Sequence, residues 1–395
     1  MYLKDKDIEK LLNGKDGCNF VGIAVTPWHA HGIDVAINKL REKGVVVVGY
    51  VLAVTFPTGG RTVFKDTFTS HDNNIEIIEC SLENKNLIRK TLENLLASIN
   101  FKKIIGFDNV FYVARPSYPE FNWINIISKT LKKTKVSFIS IDEGCGSYMI
   151  DNNENWVAAM SEALDNREGF MYSLKLNIWK IIANSRIKYR KSMERKLIDN
   201  NLLMYWHLLS GVNDDGLTIN KDISDRYKTV FLKFNNDYST KSSMYENAII
   251  ISMAPSFEEG FNDADLKLLD QLIPVLKNYN YKIIIKLHPR ETDVDRYVNY
   301  GVTVSHDVDM SQEMLLAKCK TMPKCVISIA STTLITLKSI YGIPSIGLAK
   351  LYISAVNDQE KTQNIVNFIK TFENIVEFPV NHEELIKLIG VILGK

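Results

Sequence analysis

The chain has 395 residues, 46% hydrophobic and 24% charged, with a formal net charge of +2. This is the balance of a soluble globular protein of about two domains, and it excludes a disordered polyelectrolyte or a strongly basic nucleic-acid binder. No apolar run approaches the roughly 18 residues of a membrane span, and the charged N-terminus "MYLKDKDIEKLLNGKDG" lacks a signal-peptide core, so a cytoplasmic location is expected. The five cysteines show no CxxC spacing, which argues against a disulfide framework and a zinc cluster.

In chain order, "FVGIAVTP" (20–27) reads as a strand, "GIDVAINKLREKG" (32–44) as a helix closed by glycine, and "VVVVGYVLAV" (45–54) as the next strand. "IEIIEC" (75–80) is a strand, "ENKNLIRKTLENLLASI" (83–99) a helix, and "KKIIGF" (102–107) and "KVSFISI" (135–141) are strands separated by a helix around 121–132. From about 160 to 220 the pattern turns helical and basic. Between 175 and 196, eight Lys and Arg residues stand against Glu194 alone. The polar stretch "FNNDYSTKSSMYEN" (234–247) reads as a linker.

A second series then begins. "AIIISM" (248–253), "YKIIIKLHP" (281–289), "VTVS" (302–305), "KCVISIA" (324–330) and "PSIGLA" (344–349) are strands. Between them lie helices at 263–279, 311–319 and 331–342, and the chain closes on an amphipathic helix at 381–395. Continuous apolar strands alternating with helices predict parallel sheets covered on both faces. The expected layout is α/β: a Rossmann-like domain over 1–240 with a basic helical insertion at about 160–220, a second Rossmann-like domain over 241–380, and a helix at 381–395 able to cross back to the first domain. Ligands of such sheets sit beyond the carboxyl ends of the strands, so a cleft between two facing sheets is the expected site.

The unusual residues fall at those strand ends. Asp142 and Glu143 finish "KVSFISI"; His288 and Pro289 finish "KIIIKL"; Ser331, Thr332 and Thr333 follow "CVISIA" and open a helix. A helix start with free N–H groups and three hydroxyls suits a phosphate, where N-capping alone needs one such residue. His288 could bind that phosphate or protonate it as it leaves, with Lys286 and Arg290 adding positive potential. A carboxylate opposite could deprotonate an acceptor hydroxyl. Adjacent residues of an extended segment point opposite ways. One carboxylate therefore does chemistry while the other holds the loop, and Glu143 is preferred over Asp142 as base. Gly144 and Gly146 would let backbone approach a ligand. Cys145 has no visible histidine partner.

"DEG", then "HP", then the Ser/Thr cluster resembles the bacterial sialyltransferases, and most of all the capsular polysialyltransferases. The two-unit pattern likewise resembles the GT-B arrangement, two Rossmann-like domains facing a central cleft. The resemblance implies an inverting, metal-independent transfer of sialic acid from CMP-sialic acid, with no cofactor. It makes Asp142 or Glu143 the base, has His288 contact the nucleotide phosphate, and has Ser331, Thr332 and Thr333 bind it too. It gives an acidic residue after the HP motif to the ribose hydroxyls, for which Glu313 is the candidate. Ser252, in "SMAPS", would border the nucleotide. The DxD-like Asp293–Asp295 and Asp307–Asp309 are cheap matches to a metal motif.

An anionic polysaccharide acceptor would account for Lys188, Arg190 and Lys191 in the basic segment. His29 and His31, with Trp28 beside them in the loop "TPWHAHG", and Arg115 in the aromatic loop 107–123 are further acceptor candidates. The basic segment also admits peripheral association with the inner membrane face or a capsule-assembly complex; nucleic acid is not expected. Rival readings are a CDP-glycerol-type or CMP-Kdo transferase of surface-polymer synthesis, and a non-catalytic polyanion-binding protein.

Overall fold

Apolar runs that cannot leave one face wet end up in parallel sheets, and a computed structural model shows two of them. It describes residues 17–55, 65–70, 72–81, 107–132, 135–149, 170–211, 216–234, 239–254, 264–289, 291, 293–307, 310–356 and 359–394. Contacts divide the chain into two units, Met1–His207 and Leu208–Lys395.

The first unit runs β1 (Gly17–Ala24), α1 (Pro27–Glu42), β2 (Val46–Thr55), β3 (Ile75–Ser81), β4 (Val110–Ala114), α2 (Tyr118–Thr130), β5 (Val136–Ile141), α3 (Gly146–Met149), α4 (Phe170–Asp199) and β6 (Leu203–Trp206). Its sheet order is β3-β2-β1-β4-β5-β6, with every pairing parallel. That is the doubly wound order, reversing direction between β1 and β4. Every residue of β1, β4 and β5 is buried, as expected of strands covered on both faces. Phe138 anchors one face: its ring stacks on Phe121 at 4.9 Å and meets Tyr112 edge-on at 5.2 Å. Truncating so buried an aromatic typically costs about 3–5 kcal/mol.

The basic segment is one 30-residue helix, α4. Its last turns bury Leu197 against the same core, and Tyr189 bridges to α2 through Asn125 (3.2 Å) and Asn122 (3.4 Å). Lys188 and Lys191 are exposed, but Arg190 is 7% exposed and faces inward. The acceptor face expected from Lys188, Arg190 and Lys191 therefore loses Arg190 to packing.

The second unit adds β7 (Leu209–Ser210) and β8 (Thr218–Ile219), a small antiparallel pair, then α5 (Lys221–Leu232), α6 (Ser239–Ser243), β9 (Ile249–Ser252), α7 (Ala264–Lys277), β10 (Ile283–Lys286) and β11 (Thr303–Ser305). There follow α8 (Gln312–Leu316), β12 (Cys325–Ser328), α9 (Thr332–Tyr341), β13 (Ser345–Gly347), α10 (Ala349–Ala355), α11 (Gln359–Phe372) and α12 (His382–Leu393). The order is β11-β10-β9-β12-β13, again all parallel, with its reversal between β9 and β12.

Three stretches differ from the sequence expectation. The aromatic 107–123 stretch is β4 plus the start of α2, because Val110, Tyr112 and Phe121 are core residues. The 234–247 stretch does not read as a free linker: Tyr245 is fully buried, with its hydroxyl 2.7 Å from Ser305 Oγ. The division after His207 puts 208–240 with the second unit, since α5 packs on α9 and Lys318 Nζ donates to Leu232 O at 3.2 Å. The helix expected at 83–99 and nearly all of the strand expected at 102–107 lie outside the described residues. Among the described residues, no helix is long and apolar enough to cross a membrane.

Candidate active site

Each sheet presents a constellation at its carboxyl edge. In the first unit, β5 ends at Ile141 and the chain turns through Asp142, Glu143 and Gly144. Gly144 sits at φ +79, the left-handed region that disfavours other residues. Gly146 has no such demand; a Cβ there would make ordinary contact with Glu143 Cγ at 3.6 Å.

The two carboxylates have separate environments. Asp142 is fully buried: Oδ1 accepts from Gly144 N at 3.0 Å and Oδ2 from Tyr148 OH at 2.6 Å. It closes the turn on itself. Glu143 keeps a side chain 26% exposed, its own N–H donates to Ser147 Oγ, and its carboxylate pairs with Arg115 Nη1. Arg115 follows β4, the strand beside β5, and its Nε also donates to Glu120 Oε1 in the first turn of α2 at 2.7 Å. Burial would lower the Arg115 pKa, but the fields of Glu120 and Glu143 outweigh it and hold it above the usual value. Burial pushes the Glu120 carboxyl up, against the pull of Arg115.

Behind the turn stands His207, directly after β6. Its Nε2 lies 2.8 Å from Ser140 Oγ, and its ring meets Tyr148 edge-on at 5.8 Å and Tyr205 at 5.2 Å. Burial pushes its pKa down to about 3, so the ring is neutral. Sequence reasoning missed Glu120, Tyr148 and His207. A histidine closing the strand "LMYWH" was the available signal.

His29 and His31 sit on α1, whose cap Thr26 accepts from His29 N. Both are 1% exposed; His29 Nδ1 accepts from Val25 N at 3.3 Å, and burial pushes His31 down to about 3. They serve the packing of α1 and present no open surface to a polymeric acceptor, contrary to the sequence expectation.

In the second unit, the register sets Lys286 of β10 beside Ser252 of β9, with β12 on the other side. His288, Ser252 and Ser331 thus leave three neighbouring strands at one edge. His288 is half-buried, and its carbonyl accepts from Glu291 N at 2.9 Å; Pro289 is exposed. Ser331 caps α9, accepting from Thr333 N at 3.3 Å and donating to Thr333 Oγ1 at 3.1 Å. Thr332 and Thr333 form the first turn and are half-buried. The cap and the anion-seat readings therefore describe the same hydroxyl.

Ser252 Oγ donates to Gln312 Oε1 at 3.1 Å, and Ser328 Oγ donates to Ser252 O at 2.7 Å. Gln312 is buried, and its Nε2 has no hydrogen-bond partner among the described residues. Such a donor is costly to leave unmet and marks Gln312, absent from the sequence reading, as a ligand contact to test. Glu313 is buried, with its carboxylate accepting from Thr336 Oγ1 and its carbonyl from Tyr341 OH at 2.6 Å. Lys286 is turned inward, its Nζ donating to Leu287 O (3.0 Å) and Asp307 O (3.2 Å); Arg290 lies outside the described residues. Asp307 of the DxD-like pair is engaged by Ser305 Oγ at 2.7 Å and Lys241 at 3.1 Å.

Comparison with known proteins bears on this geometry. No curated protein matches the chain. Among solved structures, a putative UDP-N-acetylglucosamine 2-epimerase from Listeria monocytogenes matches with a TM-score of 0.55 and 10% identity over 96% of this chain and 88% of that one. A sialyltransferase from Photobacterium damsela matches with a TM-score of 0.50 and 14% identity over 92% and 81% of the two chains. These likenesses show the fold, GT-B with two Rossmann-like units. The model of a glycosyltransferase family, alpha-2,8-polysialyltransferase (POLYST), matches residues 25–350, spanning every constellation described above. The chain belongs to the alpha-2,8-polysialyltransferase family.

Proposed function

We propose that the chain transfers sialic acid from CMP-sialic acid to a sialylated glycan, with inversion and without a metal ion, extending a capsular polysialic acid. The observation that carries the reading is the division of labour at the β5 turn. Asp142 is buried and spent on the turn, while Glu143 is left partly exposed as an acid–base group.

In this reading the acceptor hydroxyl loses its proton to Glu143 and attacks the anomeric carbon of the donor. The bond from that carbon to the phosphate oxygen breaks, and CMP leaves with the electron pair. His288 and the α9 start, capped by Ser331 and continued by Thr332 and Thr333, receive the charge on the departing phosphate. Glu313 takes the ribose hydroxyls, and Ser252 with Gln312 borders the nucleotide. Lys188 and Lys191 attract an anionic acceptor chain. This donor seat needs directed N–H and O–H groups and no cation.

The test is transfer with purified protein in EDTA, offering CMP-sialic acid, CDP-glycerol and CMP-Kdo side by side with a sialylated oligosaccharide. NMR would read the anomeric configuration of the product. Elongation from CMP-sialic acid alone, with inverted configuration, is the expected result. Turnover of CDP-glycerol or CMP-Kdo instead would replace the donor assignment. Loss of activity in EDTA, restored by a divalent cation, would overturn the metal-free mechanism. Acceptor binding without turnover of any donor would favour a polyanion-binding protein.

A further inference from the structure

We infer that Arg115 and Glu120 are positioning residues for Glu143, forming a carboxylate–guanidinium–carboxylate relay that fixes the base before substrate arrives. The inference rests on the reading of Glu143 as base, and it reassigns Arg115 from the acceptor-binding role expected from the sequence.

The relay follows from three elements. β4 and β5 are neighbouring parallel strands with Ala114 beside Ser140, so the residues that leave them, Arg115 and Glu143, meet at the edge. α2 starts immediately after β4 and returns Glu120, 4% exposed, to Arg115 Nε at 2.7 Å. Arg115 meets Oε1 of this buried carboxylate, and Oε2 has no hydrogen-bond partner among the described residues. The guanidinium is planar and forked, and engaging Nε on one carboxylate fixes the direction of Nη1 toward the other. Glu143 is thereby held through Oε1 while its side chain stays 26% exposed.

Charge balance explains why Arg115 is not an acceptor site. One guanidinium already faces two carboxylates, and those two outweigh the burial that would otherwise lower its pKa. An acidic sugar approaching it meets a cation whose charge is matched. Among the described residues, the other titratable groups around the cluster include Tyr112 of β4, which feels both Glu120 and Arg115, Asp142 and Tyr148, which are bonded to one another, and Cys145, bridged to Glu143 through the backbone.

A positioning role shows as lost kcat at an unchanged acceptor KM, and an acceptor-binding role as a raised KM. The experiment is kcat and acceptor KM for transfer to a sialylated oligosaccharide by wild type, Arg115→Met, Arg115→Lys and Glu120→Gln, with thermal melting of each. Arg115→Met is expected to lower kcat about tenfold or more at an unchanged acceptor KM. Arg115→Lys keeps the charge and loses the fork, so kcat stays low. Glu120→Gln lowers kcat in the same way. If Arg115→Met leaves Glu120 unpaired and fails to fold, the double variant Arg115→Met/Glu120→Gln removes both buried charges and should show the same loss of kcat at unchanged KM.

A folded Arg115→Met or double variant with wild-type kcat would overturn the inference. So would a raised acceptor KM with kcat unchanged, which would return Arg115 to acceptor binding. Failure of the underlying reading is separate: it would appear as retained activity in Glu143→Gln, whatever Arg115 variants do.

Discussion

His207 offers a prediction whose size can be worked out. The ring is buried, 2.8 Å from Ser140, and its pKa is down to about 3. An unfolded histidine titrates near 6.5. Below that value the unfolded chain binds a proton that the folded chain refuses, so the unfolded state binds more protons and stability falls as pH falls. Between pH 7 and pH 5 this amounts to ~2 kcal/mol for one histidine. His31 is depressed by burial in the same way and adds a like amount. Asp34, bonded to Thr69 and Ser70 and pushed up to about 6 by burial, changes in the opposite sense.

Comparing wild type with His207→Gln cancels His31 and Asp34, because both are present in each. The glutamine amide can keep a bond to Ser140 without titrating. The assay is urea unfolding at pH 7 and pH 5 for both proteins. The stability lost by wild type between the two pH values should exceed that lost by the variant by ~2 kcal/mol. Equal losses would refute the reasoning and mean that His207 is protonated in the folded state.

Asp142→Ala removes the acceptor of both Gly144 N–H and Tyr148 O–H and should cost about 1–3 kcal/mol in chemical denaturation. Tyr148→Phe should cost less, since it leaves only one Asp142 oxygen unmet. Thr336→Val deprives the buried Glu313 carboxylate of its hydroxyl donor and should destabilise the second unit by about 1–3 kcal/mol; no change in melting would show that Glu313 is otherwise satisfied. Charge reversal of Lys188 and Lys191 should weaken long acidic acceptors more than short ones, and more at low salt. Arg190→Glu, in contrast, should lower the melting temperature, because that side chain is buried.

The parallel sheets were legible because their strands are unbroken apolar runs, and their carboxyl ends correctly located Asp142, Glu143, His288 and Ser331. β4 was read as loop because "VFYVA" is short and flanked by Asp108, Asn109 and Arg115, residues of turn character. Its burial depends on β1 and β5, which no local pattern records. His29, His31 and Arg190 read as surface groups because polar identity says nothing of which helix face meets the core. Glu120 and Tyr148 were illegible for the opposite reason. Their partners, Arg115 and Asp142, are fixed only once α2 and α3 fold back on the strand ends.

The most direct test of the central claim is transfer of sialic acid from CMP-sialic acid to a sialylated primer by wild type, Glu143→Gln and Asp142→Asn under identical conditions. With Glu143 as base, Glu143→Gln should lose activity by about 100- to 10,000-fold while folding normally. Asp142→Asn should lose less, in step with its loss of stability. Near-wild-type transfer by Glu143→Gln would contradict the account, and a dead, well-folded Asp142→Asn beside it would move the base to Asp142.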